Sequence, residues 1–419
     1  MARSRRGRFF GIFSSLRPSL LSVSQDLDQD TCPSLYGMPM EIVEIIANFL
    51  QYKSLCSLRL TCRLLYERTL RCFGAFLATV PLDFSSHSLQ RLQAISNHRY
   101  LNRYVQCLSI MNQTHGKLGI DLRWDRSSSG CLIVPQDIVD ILSDVLALLV
   151  NCRSFEVHHI YRQEHQYTSN FLGGSDAIKI LLYIIAETAF PVKSLMLERG
   201  VARGWRYGDH IHGERLDIPA LHKLGVRAGL SQLQSLTLNY HKELESSIDW
   251  TCELIRAATS LTILTARLNE FDNAPLLFDR LTLANVLPPL KELVLESCEF
   301  SSLEGFIAFL HYFRSSLRTL SLTRIRLSTN GWISILPRLR DLFPSLTSIK
   351  LHHLRGDKRP DTLISFPDIH KHKTSFEIRQ GISYYYKNWR GKRSLVGVRY
   401  SGPDMETALR IVVSSARAC

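Results

Sequence analysis

The chain has 419 residues, 45% of them hydrophobic and 21% charged, a balance that excludes wholesale disorder and is ordinary for a soluble globular protein. The length exceeds one compact core, so a small domain beside a large one, or an array of repeats, is expected. The net charge of +13 is carried by the two ends: residues 1–25 hold five arginines and no acid, and residues 355–419 hold thirteen Lys/Arg against six Asp/Glu.

In chain order, residues 1–34 are taken as a basic, disordered tail. The stretch "MARSRRGRFFGIFSSLRPSLLSVS" also has the composition of a transit peptide or a nuclear address. No window of the chain reaches the roughly 18 apolar residues of a membrane span, and no membrane partner is expected. The ten cysteines form no CxxC pair, and several sit in apolar patterns where a free thiol acts as a small hydrophobe. A reducing compartment, cytoplasmic or nuclear, follows.

Residues 35–75 form a compact helical package. Ile42, Ile45, Ile46, Phe49 and Leu50 share one helical face. Pro39 suits the first turn, and Glu41 suits the positive end of the helix dipole. "QYKS" breaks the pattern, with Ser54 as the expected N-cap of a second helix. Leu55, Leu58, Cys62, Leu65 and Tyr66 continue an apolar stripe with a bend near Leu60-Thr61. So short a unit buries little core alone. The pattern fits a unit that docks a partner and equally a helical cap on a repeat array.

Met38-Pro39-x-Glu41-Ile42, then Ile45-Ile46, Leu50, Leu55 and Leu58-Arg59-Leu60-Thr61-Cys62-Arg63 resemble an F-box in order and spacing. Met38 replaces the usual Leu, Ser54 stands where an acid is common, and Leu65 stands where Trp is common. The resemblance implies a three-helix unit that binds Skp1 and, through it, the cullin of an SCF-type ubiquitin ligase. It further implies that Met38, Pro39, Ile42, Ile46, Leu50, Leu55 and Leu58 make the contact with Skp1.

Residues 76–354 carry a repeat. The pattern L-x-x-L-x-L recurs with central residues Leu236, Leu264, Leu293, Leu320 and Ile349, in steps of 28, 29, 27 and 29. Looser copies centre on Leu108, Phe155 and Leu195. The period and the tail "LESCEF" are those of leucine-rich repeats. Helical patterns such as "VPQDIVDILSDVLALLVNC" run between the strands. The predicted fold class is therefore α/β: a small N-terminal three-helix F-box followed by an irregular leucine-rich-repeat solenoid, an arc of parallel strands with outer helices. The whole resembles the fungal type of F-box protein with such repeats.

In each strand the leucines point inward and the residues between them line the concave face. Thr237, Asn239, Thr265, Arg267, Glu292, Glu296, Thr323, Lys350 and His352 are the candidate target-binding residues. Their charges are mixed and name no ligand.

Residues 355–419 leave the period. "GISYYYKNWRGKRSLVGVRY" interleaves aromatic and basic residues, as a single-strand nucleic-acid platform would. A strand pair capping the end of the array with a basic outer face is favoured.

The chain has no GxSxG, HExxH, GxxxxGK[ST] or GxGxxG motif. His210/His212 and His370/His372 lack neighbouring ligands at metal spacing. No enzymatic activity, metal or cofactor is expected. The expected role is the substrate-recognition adaptor of an SCF ligase, with a non-ligase repeat scaffold as the alternative. A nucleic-acid partner is the least favoured reading.

Overall fold

The computed structural model describes residues 35–111, 118–158, 171–198, 215–216, 218–239, 245–268, 274–283, 287–300, 303–327, 331–356, 362–367, 369, 381–389 and 392–418. The basic tail, His210/His212 and His370/His372 lie outside them. The chain divides into two compact units, Met1–Ala78 and Thr79–Cys419.

Among the described residues the first unit has a 3-10 turn, Leu35–Gly37, and four short α-helices: α1 (Met40–Asn48), α2 (Tyr52–Thr61), α3 (Arg63–Arg68) and α4 (Leu70–Ala75). Pro39 precedes α1 as its N-cap, at φ −52° and ψ 148°. Its carbonyl accepts from the Ile42 and Val43 N–H groups. The bend expected at Leu60-Thr61 is a break at Cys62, which is fully extended (φ −158°, ψ 160°). Ser54 is not the N-cap of α2. Gln51 is, without a side-chain bond, so Ser54 lies inside the helix.

Val43, Ala47, Leu55, Leu65, Cys72 and Phe73 are the buried apolar residues of this package. Among them sits Arg59, also buried. Its guanidinium lies 4.1 Å from the centroid of the Tyr66 ring and 4.2 Å from that of Phe73. It donates to the Tyr66 carbonyl at 3.0 Å. A charge can be buried here because the ring faces carry negative quadrupole charge and a carbonyl accepts its hydrogen bond. Arg68 donates to the carbonyls of Met38 and Tyr36 at 2.5 and 3.2 Å, which ties the entry segment to α3.

The second unit is built on one long sheet. Its strands are β1 (Thr79–Leu82), β2 (Cys107–Ile110), β3 (Ser154–Val157), β4 (Ser194–Glu198), β5 (Ser235–Asn239), β6 (Ile263–Arg267) and β7 (Glu292–Glu296). Then come β8 (Glu299–Phe300), β9 (Thr319–Thr323), β10 (Arg326–Leu327), β11 (Ser348–His352), β12 (Ile364–Ser365), β13 (Ile382–Trp389), β14 (Lys392–Ser401) and β15 (Arg417–Ala418). The main sheet has the order β1-β2-β3-β4-β5-β6-β7-β9-β11-β14-β13. It is parallel from β1 to β11. Parallel neighbours require a crossover, and helices such as Gln136–Leu148, Gly174–Thr188, Glu245–Ala257 and Trp332–Leu342 lie between successive strands.

The eight central residues of the repeated pattern occupy one row across the sheet. Leu108, Phe155, Leu195, Leu236, Leu264, Leu293, Leu320 and Ile349 are each in register with the next. All eight are buried. β1 extends the row by one strand, through Val80, and the sequence pattern did not mark it. Phe278, Phe300, Phe306, Phe309 and Trp332 pack in a chain with centroids 4.4–5.9 Å apart, filling the space between strands and helices.

The stretch "DLRWDRSSSG", expected to be a polar loop, is partly core. Trp124 is fully buried and its indole N–H donates to the Gly119 carbonyl at 2.8 Å. Gly119 has φ +71°, and a Cβ there would lie 2.3 Å from the indole nitrogen, so only glycine suits the position. Arg126 forks onto Asp176 at 3.1 and 2.6 Å. Asp176 also accepts the Gly173 N–H at 2.9 Å, capping the following helix.

β14 and β13 continue the sheet. β14 runs antiparallel to β11, and β13 antiparallel to β14. Leu395, Val396, Val398 and Tyr400 are buried.

Two measurements probe this packing. Leu293→Ala should lower stability to urea by about 2–5 kcal/mol, while Val294→Ala, its neighbour on the opposite face, should change it by about 1 kcal/mol or less. Asp176→Ala strands the Arg126 charge and should cost about 3–5 kcal/mol in the same experiment.

Candidate docking surfaces

The first surface belongs to the helical unit. α1 buries Val43 and Ala47, and these two small side chains are the only ones on it that point fully inward. Ile42, Ile45 and Phe49, at i, i+3 and i+7, are therefore exposed, Phe49 to 86%. Tyr36, Met40, Leu60, Tyr66 and Phe76 are exposed as well. An apolar set this large on so small a unit marks an interaction surface.

The residues implied by the resemblance fall in three environments. Pro39 and Ile42 are exposed; Met38, Ile46, Leu50 and Leu58 are half-buried. Leu55 is fully buried and is a core residue, because it sits on the inward face of α2. Ile45, Phe49 and Leu60 were not in that set, although Ile45 and Phe49 were in the apolar stripe. The small pair Val43 and Ala47 was the available signal for which side packs inward.

The second surface is the polar face of the sheet. Glu156, Glu198, Arg267 and Glu296 are joined across four strands. The His158 ring meets Glu156 at 2.8 Å and Glu198 at 3.3 Å. Arg267 reaches Glu198 at 3.8 Å and Glu296 at 3.2 Å, and Arg324 also bonds Glu296. The sequence candidates Arg267 and Glu296 are thus brought together. Thr237, Asn239, Thr265 and Glu292 line the same face, half-buried. Thr323 does not serve as an exposed contact: it is buried.

Lys350 and His352 stand on β11 at the far end of this face, one strand from β13. The rings of His352 and Tyr385 lie 5.0 Å apart, and the Lys350 ammonium is 5.8 Å from the Tyr385 centroid. Burial, then the Lys350 and Arg324 charges, lower the pKa of His352. His353 is lowered further, to about 4, by burial and then by Lys387 and Arg355; the Lys387 ammonium is 3.2 Å from its ring nitrogen.

Among the described residues no group of three or more His, Cys, Asp or Glu is placed to hold a metal. No described helix is long and apolar enough to cross a membrane. Cys107 and Cys152 are buried, and burial pushes the Cys152 thiol up to about 12. Such thiols are packing groups rather than nucleophiles.

Residues 35–71 match the family model described as F-box domain. This segment is an F-box domain, and the partner kind it indicates is Skp1. A search of the curated proteins finds no match to the chain.

His353 yields a pH prediction. The folded state holds its imidazole neutral down to about pH 4, whereas in the unfolded chain it takes a proton near pH 6.5. Its contribution to stability is complete above pH 6.5 and is lost as pH falls toward 4. His353 has φ +57°, which Asn tolerates. His353→Asn should therefore melt with a flatter pH dependence between 4 and 6.5 than the wild type.

Proposed function

We propose that this protein is a substrate-recognition adaptor of an SCF-type E3 ubiquitin ligase. The F-box domain at residues 35–71 docks Skp1 and through it a cullin, and the sheet-based unit holds a target protein. The observation that carries this reading is the exposed apolar face of α1 and its neighbours, Ile42, Ile45, Phe49 and Leu60, on a segment that matches the F-box domain. The second unit is read as a leucine-rich-repeat solenoid. Its support is the in-register row of apolar residues, the last five of which, Leu236 to Ile349, follow in steps of 28, 29, 27 and 29. The resemblance to fungal F-box proteins with such repeats agrees with it.

The adaptor's contribution is proximity rather than chemistry. Holding a target near a ubiquitin-charged subunit raises the effective concentration of the reacting groups, so the chain itself needs no catalytic residue. Cytoplasm or nucleus is the setting that goes with this role.

The experiment is capture of purified full-length chain on purified Skp1. Phe49→Asp and Ile45→Asp place a carboxylate where an apolar contact is expected and should each weaken capture at least tenfold. Because both side chains are exposed, thermal melts of the variants should stay within about 0.5 kcal/mol of wild type. Well-folded wild-type protein that ignores Skp1 would remove the ligase reading and leave a repeat scaffold.

A further inference from the structure

Nearly every charge described above on the polar sheet face is answered. Glu156 has His158, Glu198 has His158 and Arg267, and Glu296 has Arg267 and Arg324. Glu292, Lys350 and Arg399 have no ion pair among the described residues, and the two cations lie together. They are direct cross-strand partners on β11 and β14, so both side chains stand on the same face of the sheet. Ile349, Leu351, Val398 and Tyr400 on either side of them are buried, which puts the two cations on the outer, polar face.

Like charges placed directly opposite each other destabilise a sheet. Among the described residues no ion pair relieves the two cations; Lys350 has only the Tyr385 ring, 5.8 Å from its ammonium. The neighbours of Lys350 and Arg399 along the row are Ser321 on β9 and Ser383 on β13. No carboxylate among the described residues forms an ion pair with either cation. Glu296 lies two strands from β11, about 10 Å by strand spacing, and is already held by two arginines.

The surroundings are shaped as well as charged. Gly397 is in register with both His352 and Tyr385. A Cβ on Gly397 would lie 2.7 Å from the His352 ring. The glycine lets the two rings approach to 5.0 Å across it, forming a neutral aromatic shelf beside the cations. Lys387 adds a further positive charge nearby, next to His353.

We propose that this end of the face binds an acidic, extended peptide segment of the target protein, with carboxylates on Lys350 and Arg399 and its backbone against the Tyr385–His352 shelf. The proposal rests on the adaptor reading for what the segment belongs to. Carboxylates two residues apart in an extended peptide are about 7 Å apart on one side, a span that adjacent strands can meet, and the Arg399 guanidinium can take one of them bidentately. A nucleic-acid strand fits less well. Its stacking platform would be Tyr385, whose ring already lies against His352, and Glu296, Glu198 and Glu156 continue along the same face and repel a longer polyanion.

The test is fluorescence anisotropy of labelled hexaglutamate with the full-length chain, alongside hexalysine and a single-stranded oligonucleotide. Skp1 capture is measured on the same preparation. Hexaglutamate should bind, weaken with added salt, and lose about tenfold or more in Lys350→Glu and in Arg399→Glu. Arg410→Glu, an exposed change on the helix Met405–Ser415, should bind as wild type does. Arg399→Thr relieves the repulsion, so it should melt at or above the wild-type temperature while still losing hexaglutamate. Folded wild type that does not bind hexaglutamate, or variants that bind it equally, would overturn the proposal. So would an oligonucleotide that binds more tightly and is lost in the same variants. Skp1 capture without hexaglutamate binding removes this proposal alone; hexaglutamate binding without Skp1 capture sustains the acid-binding face and removes the ligase reading.

Discussion

Parallel strands cannot be joined by a tight turn, and the architecture of residues 79–419 depends on that constraint. Each strand of the parallel part, β1 to β11, is joined to the next by a crossover long enough to return the chain to the same end of the sheet. A helix is the compact way to do so, and a helix brings an apolar stripe that needs covering. The row from Leu108 to Ile349 supplies the other side of that contact. Strand spacing, helix placement and the periodicity of the sequence are three expressions of one packing requirement. Alternation within β3 to β7 and in β11 then leaves a polar face whose side chains are less buried than the apolar rows beneath.

How legible this was depends on how each element is specified. The strands centred on Leu236 to Ile349 repeat nearly the same step, so each copy supports the others. Upstream copies were legible in form despite uneven spacing. β1 was not, because "TVPL" is four residues long and carries a proline, which the strand pattern alone does not recommend. Trp124 was hidden in a polar stretch, since one buried indole needs only a carbonyl and a neighbouring glycine, and neither has a periodic signature. Thr323 was misplaced because a position between leucines is polar-facing but not thereby exposed.

The helical unit shows a different limit. In a package this small, both sides of α1 are apolar, one for its own core and one for a partner. Hydrophobic periodicity locates the helix and is silent about which side is which. Side-chain size decides it: Val43 and Ala47 fit beneath the helix, and Phe49 does not have to. Leu55 lies on the inward face of α2, and Arg59, one turn on, joins it because two aromatic rings and a carbonyl satisfy its charge.

The two ends of the main sheet have a consequence for the chain as a solution species. A long parallel sheet offers open backbone donors and acceptors at each edge, a template on which further copies can add. Here the first edge strand, β1, has Pro81, which offers no N–H. The last edge strand, β13, belongs to an antiparallel hairpin, shifts register between Tyr385 and Tyr386, and carries Lys387. A foreign strand meets a missing donor at one edge and a kinked, charged ladder at the other. Edge-to-edge polymerisation, the ordinary hazard of so extended a sheet, is thereby opposed at both ends by the backbone itself.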